Sequence, residues 1–295
     1  MTVAARLVSD LPTCALLIIC HNRPDELRHA LASAEQESFD ETVVLDMASS
    51  PPVAPIAGVR WLREEANVGC AAGRNILAEA STAEVLFFLD DDAVLQTPGT
   101  RETLAQLFAD DDRLGAVACR IVRPGGNTVP HEHPFRGAPA DATTPRPGAY
   151  FVGAGHAVRR SAWMDAGGLD DRYFYSTEEV DLALALVRRG YRIWYAADVV
   201  IEHRPSPHGR SSDSQIPAMR IRNRVLLARR HLPVPVAIVH IVIWAARTLR
   251  EAVRARGIRR WSRSLVDGMR MDVERDPLPW SSVATVHRLG GRAWW

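Results

Sequence analysis

The sequence predicts an α/β fold: a mostly parallel, Rossmann-like sheet flanked by helices, with a C-terminal helical extension. Short apolar runs, each long enough for one buried strand, alternate with helical stretches up to about residue 215. Two of those runs end in carboxylates, Asp46 and Asp90-Asp91-Asp92, at the strand tips beyond which open α/β sheets bind their ligands. From about Ile216 the alternation gives way to helical stretches rich in arginine.

In chain order, Ala15–Cys20 reads as a buried strand, and Asn22-Arg23-Pro24-Asp25 as a turn into a helix from Glu26 to about Gln36. Thr42–Asp46 is a second strand, Ser49–Pro55 a proline-rich loop and Val59–Leu62 a short third strand. Gly69–Ala80 is a helix whose glycines allow close backbone approach, and Val85–Leu89 is the strand that runs into the Asp triplet. Leu104–Ala109 is helical, and Ala116–Val122 returns as a strand. Pro124–Gly148 reads as a long loop or lid, since loops of that length are functional or mobile. Tyr150–Val158 is extended; Ser161–Ala166 is a helix stopped by Gly167-Gly168, and Val180–Arg189 one stopped by Gly190. Tyr191–Tyr195 and Val199–His203 are short strands, and Ile216–His231 is a basic helix. Val236–Ala246 is strongly apolar, with arginines following at 247, 250, 254, 256, 259, 260 and 263. It is too short to span a bilayer, so it reads as a core helix or as an interfacial helix facing anionic lipid.

The length of 295 residues suits one large domain, or one domain plus an appendage. A net charge of +1 gives no global field for nucleic acid, so no such partner is expected. Every one of the 36 Lys+Arg positions is arginine, which excludes a lysine Schiff base and a Walker-type phosphate lysine. Cys14, Cys20, Cys70 and Cys119 form no CxxC pair and read as reduced core thiols of a cytosolic protein. No signal peptide is expected, because no basic region precedes an apolar core at the N-terminus.

Three adjoining carboxylates at a buried strand tip oppose one another and the burial of their charge. A divalent, oxygen-preferring cation such as Mg²⁺ or Mn²⁺ resolves this and brings a substrate's phosphates with it; the competing reading is a solvated Asp-rich turn. Asp46 can accept hydrogen bonds from a nucleobase or ribose, or can cap the turn after it. Small residues from Asn67 to Asn75 open a helix whose first amides suit an anion. Arg74 within that segment suits a base, a phosphate or a surface ion pair. Ser176-Thr177-Glu178-Glu179-Val180-Asp181 is a second acidic cluster. Ser176 and Glu179 fit a capping box, yet one carboxylate of the cluster can instead face a cleft as general base. Glu178 and Asp181 share a helix face that Glu179 does not, so at most two of the three serve one site. His203 can complete a carboxylate-bound metal site, and His131-Glu132-His133 has the pattern of a metal pair.

Taken in order, these segments resemble the family 2 glycosyltransferases, which have the GT-A fold. The matching residues are Ile18-Ile19-Cys20-His21-Asn22-Arg23, Val43-Val44-Leu45-Asp46, Asn67-Val68-Gly69 through Arg74-Asn75, and Phe88-Leu89-Asp90-Asp91-Asp92. Gly153 through Arg160, Gly167-Gly168-Leu169-Asp170 and Glu178-Glu179-Val180-Asp181-Leu182 follow, and these are most similar to the rhamnosyltransferase-type branch. The resemblance covers roughly residues 13–230. It implies a GT-A catalytic domain over 1–215, with a nucleotide-sugar half at about 13–122 and an acceptor half at about 123–215, and a helical region over 216–295.

The implied reaction is inverting transfer from a nucleotide-diphosphate sugar, UDP- or dTDP-linked, to a hydroxyl of a glycan, lipid-linked sugar or natural product, assisted by Mg²⁺ or Mn²⁺. The resemblance puts Asp46 on the base, Asp90 and Asp92 in a DxD motif, and Asp90, Asp92 and His203 on the metal. His21, Asn22, Arg23, Asn67, Gly69, Arg74 and Asp91 are the other implied donor-site residues. The family's Glu-Asp pair falls on Glu178-Glu179, a departure that leaves either glutamate as the base. A cytoplasmic protein is implied, with peripheral membrane contact through the C-terminal helices. Two other readings are a sugar-phosphate nucleotidyltransferase, whose basic glycine-rich loop residues 21–26 do not supply, and a non-catalytic nucleotide-sugar-binding scaffold.

Overall fold

A computed structural model describes residues 11–129, 132–135, 142–206, 208 and 212–291. β1 (Cys14–Cys20) is apolar and buried throughout. Its alternate side chains feed two different cores, Ala15, Leu17 and Ile19 on one face and Leu16 and Ile18 on the other. α1 (Pro24–Ala34) begins on a proline, which needs no hydrogen-bond partner in a first turn. β2 (Glu41–Met47) pairs parallel to β1, and β3 (Arg60–Glu64) parallel to β2. α2 (Cys70–Ala80) then crosses to β4 (Val85–Leu89), parallel to β1 on its other side. The order of connection reverses at β1, and the crevice between the tips of β1 and β4 is where such sheets hold ligands.

The second half is built from β5 (Ala93–Leu95), α3 (Thr100–Asp110), β6 (Leu114–Val122), β7 (Arg146–Gly148), β8 (Gly155–Arg159), α4 (Arg160–Ala166), α5 (Glu178–Arg188) and β9 (Arg192–His203). Among the described residues the strands make one sheet in the order β3-β2-β1-β4-β8-β6-β9-β5, with β7 also on β9. β6 and β9 are parallel, whereas β8 runs antiparallel between β4 and β6. Two expected strands are one: β9 runs from Arg192 to His203, and an irregularity opposite Cys119 and Arg120 gives it the look of two segments. β5 and β7, three residues each, are too short to show a period in the sequence.

Among the described residues four helices follow: α6 (Ile216–His231), α7 (Val234–Arg254), α8 (Ile258–Arg270) and α9 (Trp280–Arg288). The apolar stretch and the first of its arginines thus form one continuous helix, α7. Leu184 of α5, Leu227 of α6, Val236 of α7 and Val283 of α9 share a buried cluster that seats these helices on the sheet domain. No described helix is long and apolar enough to cross a membrane.

Candidate active site

The Asp triplet sits in a tight turn between β4 and β5, closed by the Ala93 amide donating to the Asp90 carbonyl at 3.1 Å. That turn sends the three carboxylates to three destinations. Asp91 turns inward: its carboxylate accepts from Arg23 at 2.7 Å and from the His21 amide at 3.4 Å. Burial outweighs Arg23 and pushes Asp91 up to about 7. Asp91 is therefore an internal partner of Arg23 rather than a residue facing a ligand, and Arg23 is spent on neutralising the triplet.

Asp92 accepts from Arg23 at 3.1 Å and from the Ser206 amide at 2.9 Å through one oxygen, and its other oxygen lies 3.3 Å from Nε2 of His203. The strand register Ala93↔His203 between β5 and β9 is what brings the imidazole there. Against the penalty of burial, hydrogen bonds from His203 and Ser206 hold Asp92 below the usual carboxylate range. Nδ1 of His203 meets Glu132 at 2.6 Å, and Arg123 pairs with Glu132 at 2.7 Å. Burial opposes the imidazolium, but the two carboxylates raise His203 to about 9.

Asp90, Asp92 and His203 offer ligand atoms that all lie within 4.8 Å of one another. Two carboxylates and an imidazole, with no thiolate, are a donor set that suits Mg²⁺ or Mn²⁺. Glu132 holds the far ring nitrogen of His203 and so aims Nε2 at the site. The expected metal pair at 131–133 resolves differently: His131 lies outside the described residues, His133 is buried, and Glu132 orients His203.

The second acidic cluster meets the first through one cation. Arg74, buried to 3% exposure, reaches Asp90 at 3.0 Å and Glu178 at 3.1 Å, with Glu179 at 3.7 Å. It also donates to the Gly153 carbonyl at 3.3 Å. The guanidinium thus forms a bridge between β4 and α5 rather than a surface ion pair. Glu178 is buried, and its second carboxylate oxygen has no hydrogen-bond partner. Burial first, and then Glu179 beside it, push Glu178 up to about 8. Burial also raises Glu179, whose side chain is the more open of the two and lines a cleft. Gly153 packs so closely against this carboxylate that a Cβ there would collide with it.

No capping box forms. α5 starts at Glu178, and Ser176 and Thr177 before it adopt φ of 67° and 90°, a left-handed conformation that a β-branched residue rarely takes. Asn223 of α6 holds this turn, donating to the carbonyls of Tyr175 at 2.8 Å and Ser176 at 2.7 Å. Asp181 leaves the site altogether: Tyr173, Arg230 and His231 bind it at 2.9, 2.8 and 2.9 Å. Glu178 and Glu179, not Glu178 and Asp181, are the pair that meets.

The remaining candidates shape the other side of the crevice. Asp46 accepts from the amides of Ser49 at 2.9 Å and Val53 at 3.2 Å and pairs with Arg63, so it also caps its turn. The His21 ring donates to the Met47 carbonyl at 2.6 Å, and Asn22 locks the same loop through Ser49 and Ser50. Asn67 accepts from the Gly69 amide at 3.0 Å. Gly69 has φ of 86°, and a Cβ there would strike the Phe174 backbone. The carbonyl of Phe174 accepts from the Cys70 amide at 2.8 Å, so the first turn of α2 is covered by the chain itself rather than open to an anion. Arg63 and Asn223 had no motif to mark them, and Glu132 was legible only as the spacer of a histidine pair; each is recruited by register or by a neighbouring element.

The family model described as Glycosyl transferase family 2 matches residues 15–166, more than half of the chain. An N-acetylglucosaminyl-diphospho-decaprenol L-rhamnosyltransferase of Mycobacterium tuberculosis is 36% identical over 87 residues, 29% of this chain and 28% of that protein. The O-antigen biosynthesis protein RfbC of Myxococcus xanthus is 25% identical over 234 residues, 69% of this chain and 18% of its own. The chain therefore spans well under two thirds of either relative. Among solved structures, mannosyltransferase PcManGT from Pyrobaculum calidifontis, in complex with GDP-Man and Mn²⁺, superposes with a TM-score of 0.55 at 17% identity. That match covers 94% of this chain and 79% of the mannosyltransferase, a likeness of fold.

Proposed function

The chain belongs to glycosyl transferase family 2, and from that membership we propose an inverting, metal-assisted transfer from a nucleotide-diphosphate sugar with Glu179 as general base. The observation that carries this is Arg74, which ties a strand-tip aspartate of the DxD segment to the glutamate pair at the start of α5. One acidic group suits a donor's diphosphate with its cation, and the other suits an acceptor's hydroxyl. Asp90, Asp92 and His203 would hold Mg²⁺ or Mn²⁺, which supplies neutralising charge to the departing diphosphate.

The chain's own residues do the rest. Glu179 takes the acceptor hydroxyl's proton as that oxygen attacks the anomeric carbon from the face opposite the diphosphate. A carboxylate with a raised pKa is the stronger proton acceptor, provided that it is ionised at the working pH. Glu178 is the more deeply buried of the two and raised to about 8, so in this reading it backs Arg74 while the more open Glu179 faces the acceptor. The loop of His21, Asn22 and Asp46, with Asn67 and Gly69, forms the nucleotide's seat, and UDP- or dTDP-linked donors fit this reading. The acceptor is a hydroxyl of a glycan, lipid-linked sugar or natural product. In this reading the catalytic domain spans 1–215, and α6 to α9 within 216–295 cover its acceptor half. α7 leaves Val234, Ile238, Val242 and Val253 exposed, and Arg256, Arg259, Arg260 and Arg263 follow. This combination suits peripheral contact with an anionic membrane, to be tested by co-sedimentation with anionic and neutral vesicles.

The test of the central reading is thermal stabilisation by UDP, dTDP and GDP, each with and without Mn²⁺ or Mg²⁺. One nucleotide should raise the midpoint in a metal-dependent way, and Asp92→Asn should abolish that rise. Glu179→Gln should keep the stabilisation and lose transfer. Full transfer by Glu179→Gln, with loss in Glu178→Gln, would move the base to Glu178.

A further inference from the structure

Beside Glu179 opens a cleft of about 780 Å³, with Gly153, Thr177 and Glu179 on one wall and α6 and α7 on the other. Five arginines line it, Arg220, Arg224, Arg247, Arg250 and Arg254, against two carboxylates, Glu179 and Glu251. Glu251 is paired with Arg220 at 3.0 Å. Among the described residues no carboxylate lies in salt-bridge range of Arg224, Arg247, Arg250 or Arg254, so the wall carries excess positive charge.

Trp244 organises two of them. The Arg224 guanidinium lies 4.0 Å from the indole centroid and that of Arg247 lies 5.6 Å from it. Stacking fixes a guanidinium while leaving its N–H groups free to bind something else. The donors are in fact waiting: Arg224 Nε, Trp244 Nε1 and Thr177 Oγ1 are buried without a hydrogen-bond partner. Buried orphan donors are rare in native proteins and call for an explanation, such as a ligand. Three in one cleft, under excess positive charge, match a group that is all acceptor. A neutral sugar, whose hydroxyls bring donors as well as acceptors and no charge, matches less well.

We propose that this cleft holds the phosphate or diphosphate of an anionic acceptor, read by Arg224, Arg247, Arg250 and Arg254 around Trp244. Arginine forks match phosphate oxygens two at a time, and the indole N–H adds a neutral donor. The proposal deepens the glycosyl-transfer reading and rests on it in taking Glu179 as the end of the cleft where the hydroxyl reacts. Val180, Leu184, Leu227 and Val286 line the same cleft and offer an apolar bed beside the charge. The phosphoester can thus come from a lipid-linked sugar or from a soluble phosphorylated one.

The experiment is calorimetric titration of the full chain with inorganic pyrophosphate in EDTA, so that no cation bridges the probe to Asp90 and Asp92. Saturable binding is expected. Arg247→Gln/Arg250→Gln, two exposed positions of α7, should weaken it about tenfold or more, since each loses a charge-assisted contact. Asp92→Asn should bind pyrophosphate as the parent does. Equal affinity in the parent and the arginine variant, or loss of binding in Asp92→Asn, overturns the proposal. Farnesyl diphosphate decides the source: tighter binding than pyrophosphate identifies a lipid-linked group, and equal binding a soluble one. Should no nucleotide bind with metal while pyrophosphate still depends on Arg247 and Arg250, the donor reading falls and the anion site stands.

Discussion

Burial and neighbouring charge shift the glutamates beside Arg74 and the imidazole beside Asp92, and both shifts give measurable pH dependences. Glu178 is raised from 4.5 to about 8 in the folded chain, so folding takes up a proton between those values. Its contribution is fully present below the unfolded value and is lost as pH rises through about 8. Thermal midpoints of the parent should therefore fall across that window relative to Glu178→Gln, which cannot ionise; parallel profiles would show that Glu178 is already ionised. His203, raised to about 9, must lose a proton to ligate a metal. Apparent Mn²⁺ affinity should climb by about tenfold per pH unit below that value, and His203→Ala should bind more weakly with a flatter profile. Calorimetry in buffers of different ionisation enthalpy reads the released proton directly. At this scale the sequence was a fair guide to identity and a poor guide to role. Asp90, Asp92, His203, Glu178 and Glu179 are brought together, whereas Asp91, Arg23 and Asp181 carry the same chemistry and are consumed internally. Nothing in a run of three aspartates says which one faces inward, because the turn that separates them is decided by β5 pairing with β9.

The element that aims the proposed base is the start of α5. Its left-handed Ser176-Thr177 turn is strained, and Asn223 holds it from α6, a helix that follows the sheet in the chain. Asn223→Ala should release that turn and lower kcat by up to about a hundredfold, the scale of a 1 Å misplacement. Donor-induced thermal stabilisation should stay unchanged, because the hydrogen bonds of Asn223 go to Tyr175, Ser176 and Arg222 rather than to the proposed nucleotide seat. An unchanged kcat would show that the turn holds itself. Asp181 anchors the same helix to His231 and Arg230, and Asp181→Ala should destabilise the fold by about 3 kcal/mol, as breaking a buried pair does; chemical denaturation measures it. The long elements were legible: β1, α1, β2, α2, β4 and α6 fall within a few residues of their periodic or apolar segments. The capping box was not, since a Ser-x-x-Glu pattern says nothing of a strained turn clamped by a distant asparagine.

Over the whole molecule, a parallel sheet half and a mixed half meet at β4, and the antiparallel strand β8 closes the seam. The α/β architecture was readable because alternating buried strands leave few other solutions. The packing of α6, α7 and α9 on α5 was not, because it depends on apolar faces matching at long range. Arg74 spans that seam, and its position has a thermodynamic consequence. One guanidinium answers to Asp90 on one side and to Glu178 and Glu179 on the other. A positive charge arriving at Asp90 makes a proton on either glutamate less welcome, and by reciprocity an ionised glutamate strengthens the hold on that charge. If Asp90 takes the donor's cation and Glu179 is the base, as proposed, donor loading lowers the base's hold on its proton through a single side chain. Under the proposed mechanism an order of loading follows from charge alone: the base is freest of its proton once the cation is in place.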